Sequence, residues 1–117
     1  MVKVYQYKRC STCVKAVKFL EKKGVKFKSL DITETPPSKS ELKTMLKNYE
    51  GNIKKLFNTS GVQYRELKIK DKLPKMTDEQ CIDMLSSNGK LVKRPFLLSG
   101  KEGLVGFKED EWKSLLK

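Results

Sequence analysis

Residues 2–32 carry a pattern that few folds satisfy. A short alternating run, "VKVYQY" (2–7), is followed by "KRCSTC", then by an amphipathic run ending at Gly24, then by a second alternating run, "VKFKSLDI" (25–32). Side chains on an extended chain alternate between faces, so Val2, Val4 and Gln6 share one face of a first strand. Cys13, Ala16, Val17 and Leu20 fall instead at i, i+3, i+4 and i+7, one continuous stripe on a helix that runs to about residue 23. Glycine accepts the left-handed conformation that ends many helices, so Gly24 predicts the stop. Val25 and Phe27 then share a face of a second strand. Strand, helix and strand within roughly 30 residues predict a βαβ unit with parallel strands.

The remainder reads as helices and then a hairpin. Pro36 and Pro37 break regular structure, and Ser38 with Glu41 forms an S-x-x-E capping box opening a helix whose stripe is Leu42, Met45, Leu46 and Tyr49. "GNIKKLF" (51–57) predicts a short helical turn after Gly51; residues 58–75 show no clear period, and Leu73–Pro74 marks a break. Thr77 with Gln80 repeats the capping signal, ahead of a helix turning Cys81, Met84 and Leu85 inward. "GKLVKRPFLLSGKEGLVGF" predicts strands over 95–99 and 103–107 joined by a glycine-containing turn. "KEDEWKSLLK" has acids in its first turn and Lys at its end, as the helix dipole favours, with Trp112, Leu115 and Leu116 on its buried face. The order is βαβ, a helical insertion at about 36–90, then ββα. That is one α/β domain over residues 1–117 with the thioredoxin-like layout and a mixed four-stranded sheet.

Charge narrows the partners. The formal net charge is +12, yet only three of the 26 basic residues are Arg (Arg9, Arg65 and Arg94) and the rest are Lys spread over every segment. Nucleic-acid surfaces lean on planar, bidentate Arg contacts, so no direct nucleic-acid binding is expected. The lysines read as a solvated face or as a surface attracting an acidic partner. No apolar run reaches membrane-spanning length, and the first residues lack the charged and apolar regions of an export signal; no membrane association and a cytoplasmic location are expected. Thiols in a cytosol stay reduced, which favours reactive or buried cysteines over structural disulfides.

The three cysteines divide by position. Cys10 sits where a strand hands over to a helix. There the first N–H groups have no internal partner and the dipole is positive, so a thiolate is favoured. Lys8 and Arg9 add positive charge just before it. Cys13 is close enough to attack a sulfur bonded to Cys10, and it also lies on the buried stripe, so both a resolving and a packing role fit it. A structural zinc needs four ligands; with no His and three Cys in the chain, no metal site is expected. Cys81 reads as core. In "VKRPFLL" (92–98), Pro95 cannot donate within a sheet, which predicts a cis Arg94–Pro95 bond that turns the chain toward Cys10 and brings the Arg94 cation near the thiol. Arg65 reads as a solvated loop residue or a second cation.

Taken together, "CSTC", "TPPSKSEL", "LFNTSGVQYREL", "MTDEQCIDML" and "LVKRPFLL…VGFKEDEW" resemble the arsenate reductase / Spx / MgsR family over nearly the whole chain. The resemblance implies a thioredoxin-like fold, a catalytic Cys10, and a cis-Pro at Pro95 beside Arg94, with Ser11, Thr12 and Pro95 contributing to the binding loop. The family's arsenate reductases carry one loop cysteine and hold the oxyanion with three arginines. Here Cys13 stands where that pattern has Ser, Asn58 stands at one arginine position, and the "LVGF" region supplies none. Three functions follow as expectations. One is a thiol–disulfide oxidoreductase without a tightly bound cofactor, with glutathione as co-substrate or with glutaredoxin or thioredoxin as reductant. Another is a Spx/MgsR-like redox-sensing regulator that binds the C-terminal domain of the RNA polymerase α subunit, with Gly51 near the contact. The third is an arsenate reductase.

Overall fold

The chain is seen in a computed structural model that describes residues 2–116. Strand β1 (Val2–Gln6) lies inside the sheet, parallel to β2 (Phe27–Asp31) on one side and antiparallel to β3 (Phe96–Ser99) on the other. β3 pairs antiparallel with β4 (Glu102–Val105), giving the mixed order β2-β1-β3-β4. An interior strand must bury both faces, and its alternation does so. Val2 and Val4 point with Leu97 into a core completed by Ala16, Leu20 and Trp112. Tyr5 points with Phe96 and Leu98 into a second, larger core filled from the insertion. This is the thioredoxin-like layout expected from the sequence, with helices on both faces of the sheet.

The first core is built by α1 (Ser11–Lys23) and α6 (Glu109–Leu115). Helix α1 ends where predicted: Gly24 adopts φ 74°, and its N–H returns to the Glu21 carbonyl at 3.1 Å. Fully buried Trp112 stacks edge-on against Phe107 and Phe19 and donates from Nε1 to the Gly106 carbonyl at 3.1 Å. β4 is shorter than the predicted 103–107 because Gly106, at φ 74°, turns the chain so that Phe107 joins this aromatic cluster. β3 begins at Phe96, one residue later than expected, since Pro95 has no N–H for the ladder.

The second core belongs to the insertion. Both capping boxes form: Ser38 and Glu41 open α2 (Lys39–Asn48), and Thr77 and Gln80 open α5 (Asp78–Ser87). On α5 the buried face is Cys81, Ile82 and Leu85, with Met84 only half-buried at its edge. Segment 58–75 resolves into two short helices, α3 (Val62–Glu66) and α4 (Ile69–Lys72), hinged by Lys68 in the left-handed region at φ 53°. Pro74 does not break the chain; it sits in the first turn of a 3-10 helix, Leu73–Lys75, where no N–H is required. The expected turn after Gly51 is a 3-10 helix, Ile53–Leu56, and a third spans Gly89–Leu91. Among the described residues no helix is long and apolar enough to cross a membrane.

Two contacts fasten the insertion to the sheet. Glu41 takes part in its own capping box and also accepts from the Tyr5 hydroxyl at 2.6 Å and from Lys3 Nζ at 2.7 Å. Burial pushes its carboxyl up, but these donors outweigh burial and hold it below the usual range. The second contact is at Gly89, where a Cβ would fall 1.7 Å from the Ile32 carbonyl oxygen, so only glycine allows the backbones to meet.

Two outcomes follow. Glu41→Gln keeps the capping geometry but loses the charge, costing about 1 kcal/mol at neutral pH. A carboxyl depressed in the fold contributes stability that is complete above its unfolded pKa, near 4.3, and is lost as pH falls through the folded value; urea melts of wild type and variant should therefore converge as pH drops below about 4. Gly89→Ala forces the strand end and the 3-10 turn apart and should cost on the order of 3 kcal/mol in the same melts, the range of a severe backbone clash.

Candidate active site

Cys10 is the N-cap of α1, with extended backbone at φ −93°, ψ 116°. Its N–H donates to the Tyr7 carbonyl at 2.9 Å, and its own carbonyl accepts from Val14 N–H at 3.0 Å, opening the helix. This is the position where Ser or Asp commonly bonds a free N–H of the first turn. The thiol makes no side-chain cap hydrogen bond of full geometry. The Cys13 backbone N–H, the Cys13 thiol and the Arg94 guanidinium nevertheless lie near enough to Sγ to favour its anionic form. Partial burial raises the Cys10 pKa, and these groups outweigh it, so the thiol is held below its ordinary value.

Cys13, one turn along, is fully buried. Burial pushes its thiol up to about 12; the Tyr7 backbone works against that rise, while the neighbouring Cys10 adds to it. Two identical side chains thus have opposite character: a half-exposed sulfur whose thiolate is favoured and a fully buried one whose thiol is favoured. Both are free thiols here. The third cysteine, Cys81, is buried in the insertion core with its thiol raised by burial and by Asp78.

The predicted cation is in place. The Arg94–Pro95 bond is cis, Pro95 is buried, and its carbonyl accepts from Gly106 N–H at 2.9 Å. Arg94 projects toward Cys10, with its Cζ 5.0 Å from the centroid of the Tyr7 ring. Ser11 and Thr12 form the exposed first turn of α1, immediately beside the thiol. Arg9 and Arg65 are exposed and stand outside this cluster; Arg65 lies on α3 rather than in a loop. Among the described residues no group of His, Cys, Asp and Glu is placed to hold a metal ion.

Tyr7 and Arg94, the two neighbours of the thiol pair, also line a cleft of about 310 Å³ together with Asn58, Gln63, Glu66 and Lys90. It exists because residues 56–58 pair with 91–93: Asn58 N–H donates to the Leu91 carbonyl and Lys93 N–H to the Leu56 carbonyl, both at 2.8 Å. Asn58, which replaces an arginine of the resembling pattern, therefore does face the site. Gln63, Glu66 and Lys90 carry no signal of their own in the sequence, because the segments that hold them have no readable period. A larger cleft of about 520 Å³, walled by Tyr49, Phe57 and four lysines, contains none of the groups around Cys10.

The pH dependence of alkylation checks the thiol asymmetry. Iodoacetamide should modify Cys10 with a midpoint below the ordinary cysteine value near 8.5, and the reaction should slow as pH falls through that midpoint. Arg94→Ala should move the midpoint upward. Cys13 and Cys81 should stay unmodified in the native protein, as read by peptide mass spectrometry.

Comparison with known proteins gives the chain a family. The ArsC family model matches residues 5–115. The protein YusI of Bacillus subtilis is 45% identical over 108 residues, covering 92% of each chain. The global transcriptional regulator Spx of Listeria innocua is 29% identical over 117 residues, covering 99% of this chain and 87% of Spx. A crystal structure described as a putative ArsC family related protein from Bacteroides fragilis superposes with a TM-score of 0.91 at 45% identity, covering 97% of this chain and 96% of the other. The chain, with its cysteine pair at the mouth of α1 and its cis-proline beside Arg94, belongs to the ArsC family.

Proposed function

We propose that the protein carries out thiol–disulfide exchange, with Cys10 as attacking thiolate and Cys13 as resolving thiol. The observation that carries this reading is the opposed character of the two sulfurs at one helix mouth. The Cys10 thiolate attacks one sulfur of a substrate disulfide R–S–S–R′, forming a Cys10 mixed disulfide with R and releasing R′ as thiolate, which takes up a proton. Loss of the negative charge on Cys10 removes one of the causes that keep Cys13 protonated. Cys13 then gives up its proton, attacks the Cys10 sulfur, closes the Cys10–Cys13 disulfide and releases R as thiol. The substrate gains two electrons and the pair loses two. An external thiol reductant such as glutathione, or a dithiol protein such as thioredoxin or glutaredoxin, restores the starting state. Arg94 and the free N–H groups of α1 stabilise the thiolate throughout.

Arsenate is not the substrate favoured by this site. A tetrahedral dianion is held best by several bidentate cations, and the cleft beside Tyr7 offers Arg94 and Lys90 against the carboxylate Glu66. Asn58 supplies a neutral amide where a further guanidinium would be needed.

A second reading is a redox-sensing regulator whose Cys10–Cys13 disulfide alters docking on the C-terminal domain of the RNA polymerase α subunit. The observations favouring it are the likeness to Spx along almost the whole chain and an exposed corner at Glu50–Gly51, where φ is 55° and 81° and nothing lies within 4 Å of the place a Gly51 Cβ would occupy. Co-purification of that domain with the reduced or oxidised protein, at stoichiometric yield, is the outcome this second reading requires.

Trapping separates the roles of the two thiols. Incubated with a small aromatic disulfide, Cys13→Ser should accumulate a stable adduct on Cys10, whereas wild type should release both halves of the reagent and become an internal disulfide two mass units lighter than the reduced chain. Cys10→Ser should form neither. An adduct on Cys81, or wild type retaining the reagent indefinitely, would sink the assignment.

A further inference from the structure

One residue reaches both thiol-bearing residues and Arg94 without being a thiol or a cation itself. Tyr7 is the first residue past the end of β1, and it makes three separate contacts. Its carbonyl takes the Cys10 N–H at 2.9 Å, its backbone approaches the Cys13 sulfur, and its ring lies under the Arg94 guanidinium at 5.0 Å. The first two contacts are made by the main chain, and any residue could supply them. The third belongs to the ring.

Sheet register explains why the ring meets Arg94. In the antiparallel pair of β1 and β3, Tyr5 stands opposite Phe96, and the two rings meet edge-on at 5.8 Å. Continuing that register by two residues on each chain brings Tyr7 opposite Arg94, on the same face. The ladder has ended by then, so no backbone pairing holds the arginine, and its long, half-exposed side chain has several rotamers open to it. The same cleft wall offers a competing destination: Glu66 is an exposed carboxylate facing the cleft, while Lys90 repels the guanidinium from its own side. Within 4.0 Å, no ion pair of Arg94 is found among the described residues.

We propose that the aromatic ring of Tyr7 is a positioning element that holds the Arg94 guanidinium against the Cys10 sulfur instead of letting it swing toward Glu66. The inference rests on the reading of Cys10 as the attacking thiolate. A guanidinium can lay its face on a ring and still present N–H groups at its edge to an anion, which an ammonium cannot do as well. The ring acts through Arg94 and touches no reacting atom in its own right. The phenol hydroxyl has no part in the arrangement.

The test is the pH profile of Cys10 alkylation in five proteins: wild type, Tyr7→Phe, Tyr7→Leu, Arg94→Ala and the double variant Tyr7→Leu/Arg94→Ala. Tyr7→Phe should match wild type. Tyr7→Leu should slow alkylation about threefold at pH below the wild-type midpoint, the size of an exposed cation–ring contact, with its midpoint displaced upward. In the Arg94→Ala background the same Leu substitution should change nothing further, because the ring's effect passes through the arginine. Equal slowing in both backgrounds, or Tyr7→Phe behaving like Tyr7→Leu, overturns the inference while leaving the thiolate reading intact. A wild-type midpoint at the ordinary thiol value overturns the thiolate reading and this inference with it. Circular dichroism melts accompany each variant; if Tyr7→Leu does not fold, Tyr7→Ser is used in its place, with the same expectations.

Discussion

The pairing of β1 with β3 is the interaction on which the rest of the molecule depends. Among the described residues β1 is the only strand that joins the parallel βαβ half to the antiparallel hairpin, and its register sets where each half ends. With Val4 opposite Leu97 and Tyr5 opposite Phe96, the turn into α1 and the cis Arg94–Pro95 bond come out at the same edge of the sheet. A slip of one residue would exchange the two faces of β1, placing Lys3 and Tyr5 in the small core and Val2 and Val4 against the insertion. The burial of Val4 and Tyr5 on opposite faces opposes that slip from both sides, so the thiol and its cation are aligned by hydrophobic packing some way from either of them.

Chemical asymmetry between Cys10 and Cys13 follows from one helical turn of displacement. At the N-cap, a sulfur meets unpaired N–H groups and solvent; three residues on, it meets the apolar stripe of α1. Neither side chain is intrinsically different, and Arg94 favours the anionic form at both. The difference arises because desolvation dominates at the deeper position and because Cys10, where the anion is favoured, works against a second charge beside it. The pair is therefore unequal: the outer sulfur is the half-exposed one in which the thiolate is favoured, and the inner one is buried with its proton held.

Much of this is legible in local signals. Both capping boxes, the Gly24 stop, the stripe of α1 and the alternation of β1 depend on residues within one or two turns of each other, and they form as the spacing predicts; β2 is shorter than the expected 25–32, running Phe27–Asp31 with Val25 outside it. The placement of Arg94 is legible too, since a proline at the head of a strand has no N–H to give the ladder and so marks the point where the chain turns. What is hidden depends on distant partners. Glu41 looks like a simple cap until Lys3 and Tyr5 reach it from 38 and 36 residues away. Gly89 looks like a turn residue until the Ile32 carbonyl is found against it. Segment 58–75 has no period because its two helices are one turn or so each and are broken by a left-handed Lys68, a conformation that sequence favours weakly at best. Tyr7 is visible as the last residue of an alternating run; its significance needs the register between two strands that lie about ninety residues apart in the chain.

The sheet separates two cores, and the functional elements are divided between them. Helix α1, which carries Cys13 and is capped by Cys10, is seated on Val4, Leu97 and Trp112 on one side. The cleft walls from Asn58 to Glu66, together with Lys90, are carried by the insertion on the other side. A side chain lining the cleft can therefore be exchanged without repacking the helix that presents the sulfurs. Such a partition makes the cysteine mounting and the wall opposite it two separately built parts, so that the composition of one does not dictate the packing of the other.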